Sequence, residues 1–418
     1  MELFEYQKQI VQEAIEKLKR SDWIYLALDM RTGKTIISLT IAKELGLKRI
    51  LVIYPNKNVI KAFEDIGKEL ELDLTFSSNH PDTIKKHIGK DFDCIILDEA
   101  HNFKSFPKPS KRAKVLRELI KRCKKVKKLL LSGTPHPESY SDLYYQLWSI
   151  GEETHKTFYE FAEHYVNIKE KYVAGGVRIK DYSDCSKYYF ESLKKNFIIL
   201  SKEEAGITTK KNIIFEKVEM KNSEKVFEMI KKGIINIKDL VVIPIDSISK
   251  ELQTIRQICG GVLYDSNKEY IIDYSKAKRI EELLKKYNKV LVFYYYQKER
   301  ELLLKYFGDI FTEDLNEAKN SNKHLLLQLV SGREGITFPE ADAIIYYSLD
   351  FSAVTYIQSQ ERATTFNKNQ VDIVYLFSSV GFDETVYKTL KSKKKYTEKL
   401  YQSQRNSILK SKTNQIKI

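Results

Sequence analysis

The sequence predicts an α/β protein with two parallel-sheet lobes, a mainly helical segment between them and a basic C-terminal tail. Three observations predict it. Apolar runs such as Arg49-Ile50-Leu51-Val52-Ile53-Tyr54 and Val290-Leu291-Val292-Phe293-Tyr294 lack polar alternation, which is the pattern of strands covered on both faces. Segments with helical apolar spacing separate these runs, in two blocks. Several runs also end in a polar cluster, and open α/β sheets bind ligands outside the carboxyl ends of their strands. At 418 residues the chain exceeds one average domain. The expected division is a first lobe over 1–150, a helical insertion or bridge over 151–265, a second lobe over 266–390 and a tail over 391–418.

Composition narrows the function classes. A hydrophobic content of 42% supports real cores. Lysine and arginine outnumber the acids 71 to 57, for a net charge of +14 and a pI of 9.2. That excess suits a polyanionic partner, or reflects a merely lysine-rich chain. Cys94, Cys123, Cys185 and Cys259 lie far apart with no C-x-x-C pair, which argues against zinc and disulfide scaffolds and for a reducing compartment. The first residues, MELFEYQKQ, are acidic and amphipathic, unlike a secretory leader. No apolar run approaches the ~20 residues that span a bilayer. The expectation is a cytoplasmic protein with no membrane partner.

The first lobe opens with an amphipathic helix (Ile10, Val11, Ala14, Ile15, Leu18). Its Gln7 amide could read an adenine edge, or simply be solvated. A strand from Ile24 to Leu28 then turns into a helix at Gly33-Lys34-Thr35. A helix N-terminus cradles phosphate oxygens with free N–H groups; Lys34 would reach the β/γ-phosphates and Thr35 would ligate Mg²⁺. Leu28 stands where the strict pattern has its first Gly, so this stretch alone fits a phosphate loop or an ordinary strand-turn-helix. Strand 94–97 runs into Asp98-Glu99-Ala100-His101. Asp98 would hold Mg²⁺ through its water shell, and Glu99 would orient and deprotonate an attacking water. Residues 104–128 are densely basic with interleaved apolar positions, mostly a solvated amphipathic helix, but Lys104 and Lys111 lie close enough to the carboxylates for phosphate contact. Leu129–Leu131 leads into Ser132-Gly133-Thr134-Pro135.

From 151 to 265 the rhythm breaks. Phe158–Tyr165 and Tyr188–Phe197 read as helical pieces, followed by an amphipathic piece over Val226–Ile237 and a helix over Ile248–Cys259. Buried strands resume at 290–294, 325–330, 343–347 and 373–377, interrupted by polar clusters at 331–337 and 358–362.

In this order the clusters resemble the superfamily 2 helicases and translocases, most closely their Swi/Snf-like branch, over residues 1–390. Tyr6-Gln7 resembles the adenine-reading Gln motif. Ala27–Thr35 is similar to motif I, with Arg31 where Gly is usual, and this implies nucleotide contact by Met30, Arg31, Thr32, Gly33, Lys34 and Thr35. Leu51–Pro55 resembles motif Ia, implying nucleic-acid contact at Asn56 and Lys57. DEAH with Lys104 and Lys111 is similar to motif II and the basic loop after it, and SGTP to motif III. Thr254–Cys259 and Ser275-Lys276 resemble the stretch joining the lobes. Ser331–Phe338 is similar to motif V, implying nucleic-acid contact by Ser331 and Thr337 and nucleotide contact by Gly335. Gln358–Arg362 resembles motif VI, with Arg362 acting on the γ-phosphate. Two positions depart from the pattern: Thr365 replaces a second Arg, and Arg333-Glu334 replaces a Gly and a variable residue. Hydrolysis would then be slow, or Arg333 or Lys368 would take the missing role.

The resemblance implies two RecA-like lobes, with ATP and Mg²⁺ in the cleft between them and a sequence-independent grip on DNA phosphates. The expected function is an ATP-dependent nucleic-acid motor: a DNA-stimulated ATPase translocating on double-stranded or branched DNA. A strand-separating helicase on DNA or RNA and a weakly hydrolysing nucleic-acid clamp are the alternatives. No protein partner is implied. With no chromatin-reading or nuclease module, the pattern suits a minimal viral, phage or bacterial motor.

Overall fold

The computed structural model describes residues 2–123, 125–137, 139–172, 178–207, 209–221, 223, 232–237, 241–244, 246–264, 268–330, 338–364 and 368–392. The chain divides into two compact units, 1–207 and 208–418.

The first unit begins with helix α1 (Glu5–Arg20), followed by β1 (Trp23–Leu28), α2 (Lys34–Glu44), β2 (Arg49–Tyr54), α3 (Ile60–Glu69), β3 (Asp73–Ser78), α4 (Pro81–Lys85) and β4 (Cys94–Leu97). Next come α5 (Lys111–Arg122), β5 (Lys127–Leu131) and α6 (Asp142–Ser149). An antiparallel hairpin, β6 (Lys169–Tyr172) with β7 (Arg178–Asp181), precedes β8 (Phe197–Leu200). The six-stranded sheet has the order β3-β2-β4-β5-β1-β8, and every pairing in it is parallel. Alternate residues feed two cores. Tyr25, Ile53, Ile95, Leu97 and Leu130 pack on one face, and Ile24, Leu26, Val52, Ile96 and Leu129 on the other. Burial on both faces explains why these strands read as unbroken apolar runs.

The second unit contains β9 (Lys210–Val218), the antiparallel pair β10 (Ile234–Ile237) and β11 (Val241–Pro244), and the pair β12 (Val262–Tyr264) and β13 (Glu269–Ile271). Its main sheet adds β14 (Val290–Tyr294), β15 (Phe311–Thr312), β16 (His324–Gln328), β17 (Ala343–Tyr346) and β18 (Gln370–Ser378). Its order is β15-β16-β14-β17-β18-β9, again parallel throughout. Val292, Ile345 and Val374 face one core and Phe293, Tyr346 and Tyr375 the other.

The expected helical bridge over 151–265 needs correction. That span is shared between the units, the boundary falling at 207/208, and it supplies an edge strand to each sheet. β8 pairs with β1 from Tyr25↔Phe197 to Leu28↔Leu200, and β9 pairs with β18 over nine positions. The piece expected to be helical over Tyr188–Phe197 is a helix only over Lys187–Leu193, and Ile234–Ile237 is a strand. Edge strands carry lysines and half-exposed apolar residues, here Ile199 at 53% and Phe215 at 51% exposure, so they lack the buried-strand signature. The expected tail lies outside the described residues from 393 onward, as do the motif V residues Ser331, Arg333, Gly335 and Thr337, and Thr365.

A buried ion pair holds part of the second unit. Lys276 donates to Asp383 at 3.1 Å and to the Tyr347 carbonyl at 2.8 Å, while Asp383 accepts the Ser378 N–H at 2.8 Å. Lys276→Ala strands a carboxylate in the interior, at a cost of about 3–5 kcal/mol. Denaturant titration should read that loss, and a change below about 1 kcal/mol would contradict it.

Candidate nucleotide site of the first unit

In a parallel sheet all carboxyl ends lie at one edge. Because β4, β5 and β1 are neighbours, the segments after Leu97, Leu131 and Leu28 are brought side by side. β1 leads into the loop 29–33. Gly33, at φ +85°, caps α2, and the first bond of the helix runs from the Ile37 N–H to the Gly33 carbonyl at 3.0 Å. The N–H groups of the first turn therefore have no partner inside the helix. Those donors, with Lys34, fit a phosphate group. Lys34 Nζ donates to the Leu28 and Asp29 carbonyls at 3.0 and 3.2 Å. Thr32 Oγ1 donates to the Asp29 carbonyl at 2.7 Å. The loop is also tied to β8: the Asp29 N–H donates to the Leu200 carbonyl, and Asp29 Oδ2 accepts the Lys202 N–H.

Arg31 has φ +70°. An L side chain there costs roughly 1–2 kcal/mol, the physical reason a Gly suits that position. Met30 and Thr35 are half-buried beside it.

Gln7 is only 5% exposed. Its Oε1 accepts the Phe4 N–H at 3.0 Å, and its Nε2 donates to the Thr32 carbonyl at 3.2 Å and to the Tyr6 hydroxyl at 3.3 Å. Tyr6 donates to the same carbonyl at 3.1 Å. The amide expected to read adenine is thus engaged with the phosphate loop, and a Cβ on Gly33 would stand 2.3 Å from its nitrogen. Gly133 also approaches the loop, though less tightly: a Cβ there would lie 3.4 Å from the Leu28 carbonyl, an ordinary van der Waals contact.

After β4, Glu99 takes a left-handed conformation at φ +47° and caps the 3-10 turn Ala100–Phe103. Its Oε2 lies 3.2 Å from His101 Nδ1 and accepts from Ser132 Oγ at 3.4 Å, and His101 Nδ1 lies 2.9 Å from Ser132 Oγ. Burial pushes the Glu99 carboxyl up. The hydrogen bond and charge interaction with His101, then Lys34 and Ser132, outweigh it and hold the group below its ordinary value of 4.5. The Asp98 N–H pairs with the Ile53 carbonyl at 2.9 Å, which fixes that residue at the sheet edge. Among the described residues no group of three or more His, Cys, Asp or Glu could hold a metal. A Mg²⁺ with one carboxylate, Thr35, phosphates and water fits such a donor set. Ser132 and His101 were absent from the expected site residues, because nothing in a sequence says that β4 and β5 are neighbours.

Ser132 Oγ also accepts the Thr134 N–H at 3.0 Å, and the buried Thr134 hydroxyl has no protein partner. Gln146 of α6 donates to the Pro135 carbonyl at 2.8 Å and accepts from Tyr25 at 2.8 Å.

The expected nucleic-acid residues fare differently. Asn56 Oδ1 caps its own turn through the Asn58 N–H, and Lys57 is exposed. Lys111 is exposed at the start of α5. Lys104 has its ammonium 3.8 Å from the buried carboxylate of Asp142, giving it a structural partner in the fold. In the second unit Arg362 is buried in the turn Glu361–Ala363, and its carbonyl accepts the Phe338 N–H at 2.9 Å. Lys368 donates to the carbonyls of Pro339 and Ala341.

Family models match over most of the chain: an SNF2-related domain over 55–260, the res subunit of type III restriction enzymes over 1–79 and a helicase conserved C-terminal domain over 265–367. Among solved structures, the Hef helicase domain of Pyrococcus furiosus is 13% identical and shares the fold, with 92% of this chain and 97% of that chain covered at a TM-score of 0.50. The SWI2/SNF2 ATPase core of Sulfolobus solfataricus in complex with dsDNA is 17% identical, covering 100% and 96% at a TM-score of 0.43. The same core domain in a second structure is 17% identical, covering 94% and 88% at 0.40. No helix among the described residues is long and apolar enough to cross a membrane.

Two outcomes test the geometry. Gly33→Ala should destabilise through the left-handed backbone, by about 1–2 kcal/mol, and further through the clash with Gln7. In a double-mutant cycle the cost should shrink when Gln7 is Ala; strict additivity would contradict the contact. Glu99 gives a pH signature. A carboxylate with a depressed folded-state pKa contributes stability above its unfolded value and loses it as pH falls through the folded one. The stability advantage of wild type over Glu99→Gln should therefore shrink as pH falls below about 4.5, read by denaturant titration across pH; an advantage that grows on acidification there would contradict the assignment.

Proposed function

We propose that this chain, which belongs to the Swi/Snf-like branch of the superfamily 2 helicases and translocases and hydrolyses ATP, is a DNA-stimulated motor that translocates on double-stranded or branched DNA. The observation that carries the proposal is the Glu99 carboxylate, placed between His101 and Ser132 at the end of β4, two strands from the phosphate loop of β1. Lys34 and the loop donors hold the nucleotide phosphates, with Thr35 and Asp98 placing Mg²⁺. Glu99 orients a water and takes its proton; a base for this task must be ionised at the working pH. Arg362 supplies positive charge to turnover. Gln7 fixes the loop through Thr32, and so acts as a positioning residue for the phosphates.

The DNA partner is supported by the charge of +14 and by the exposed Lys57, which follows β2, and Lys111 at the start of α5. Such cations contact phosphates and carry no sequence information. Asn56, Ser331 and Thr337 complete the proposed track. Nucleotide can change the grip on DNA only by binding two states of the protein with different affinity. The clamp alternative draws on Thr365, and RNA remains an alternative polyanion; both are resolved by one experiment.

Turnover should be measured with no nucleic acid, duplex DNA, forked DNA and RNA, for wild type, Lys34→Ala, Glu99→Gln and Arg362→Ala. Duplex or forked DNA should stimulate wild type, with log K falling by about 0.9 per phosphate neutralised as salt rises. Lys34→Ala and Glu99→Gln should abolish turnover, and Arg362→Ala should reduce it by about 10³–10⁵. Negligible wild-type turnover with saturating DNA would establish the clamp. Stimulation by RNA alone would replace the DNA assignment.

A further inference from the structure

We propose that the second unit carries a nucleobase pocket at the carboxyl ends of β14 and β16, which takes one unpaired base of the nucleic acid. The inference rests on the motor reading above and names the substrate feature that reading leaves open.

The cavity measures about 430 Å³ and is lined by Tyr264, Tyr295, Tyr296, Gln297, Gln328 and Val330, within the range of about 300–1,000 Å³ typical of ligand sites. Its chemistry suits a base and opposes a phosphate. Glu269 also lines it, and among the described residues no lysine or arginine does. Lys298, whose ammonium is 3.9 Å from the Glu269 carboxylate, does not line the cavity. A phosphate entering here would meet a carboxylate. A base would meet aromatic faces for stacking, with amide and carboxylate groups for its donor and acceptor edge.

The rings are held before any ligand arrives. Glu299 is fully buried and accepts the N–H groups of Tyr295 and Tyr296 at 2.8 and 3.0 Å, while Ser348 donates to its other oxygen at 2.6 Å. Gln328 Nε2 donates to the Tyr295 carbonyl at 2.9 Å. The buried Arg256 guanidinium lies 3.3 Å from the Tyr295 ring centroid and 4.3 Å from that of Phe351. The Tyr264 and Tyr296 rings are 5.5 Å apart, and the Tyr264 hydroxyl accepts the Lys298 N–H at 2.9 Å. Groups fixed in this way lose little further entropy when a ligand stacks on them. A base inside a duplex cannot enter such a pocket without leaving the stack. The site therefore selects DNA with an unpaired nucleotide, such as a fork, over blunt duplex.

The test uses the full chain, a fork carrying 2-aminopurine at successive unpaired positions, and a blunt duplex of equal length. Wild type should quench the probe at one or two positions and bind the fork about 5- to 150-fold more tightly than the duplex, the range of base–aromatic stacking. Tyr295→Leu should lose the quench and the preference, and Tyr295→Phe should keep them. Because Tyr295 also supports Arg256, Val330→Glu provides a second variant at a 43% exposed position on the pocket wall. It too should lose both, and the fork-to-duplex ratio cancels any general effect of its charge. Equal binding of fork and duplex without quench would overturn the pocket and leave the motor reading standing. So would an unchanged quench in Val330→Glu and Tyr295→Leu. Failure of any DNA to bind or stimulate turnover would overturn the motor reading and the pocket with it.

Discussion

The backbone pairing of three parallel strands, β4 with β5 and β5 with β1, is the constraint on which the first unit's site depends. Register Leu97↔Leu130 on one side and Leu26↔Leu131 on the other sets the carboxyl ends level. Only then can a carboxylate from one strand end, a hydroxyl from the next and a phosphate loop from the third be neighbours. Register is strongly specified because both faces are buried. A slip of one residue would exchange the two sets of core side chains, which differ in size and shape across every strand.

Strain is concentrated at the same edge. Among the described residues, Arg31 and Glu99 are two of three non-glycine residues with positive φ, and they follow β1 and β4. Such conformations persist only where surrounding contacts over-determine them. Here the contacts are visible: the Glu99 side chain is fixed by His101 and Ser132, and the loop around Arg31 by Gln7, Tyr6, Thr32 and Lys34. A carboxylate aimed by strained backbone and locked by two partners has little freedom left, and electrostatic catalysis depends on that pre-organisation. The second unit uses buried polar groups to a different end. Lys276–Asp383 and Glu299 satisfy turn N–H groups and carbonyls, so the loops after β14, β17 and β18 hold their shape without regular structure.

Several side chains with evident chemical capacity are already engaged by the protein. Gln7 spends its amide on the phosphate loop, Lys104 sits against Asp142, and Lys368 caps two backbone carbonyls. The engagement of Gln7 makes the loop responsive to whatever moves that amide.

The two-block α/β architecture and the central strands were legible in the sequence. They depend on local pattern: unbroken apolar runs and helical spacing. Strand order was not legible, and with it went the His101–Ser132–Glu99 contact, which joins residues 31 and more positions apart. The edge strands β8 and β9 escaped notice because half of each faces solvent, so apolar pattern gave no sign of them. Whether a polar side chain is free for a ligand or spent on a neighbour, as for Gln7 and Lys104, was also beyond pattern. Hydrogen-bond saturation is a property of the packed environment, and only the tertiary structure supplies the partners that decide it.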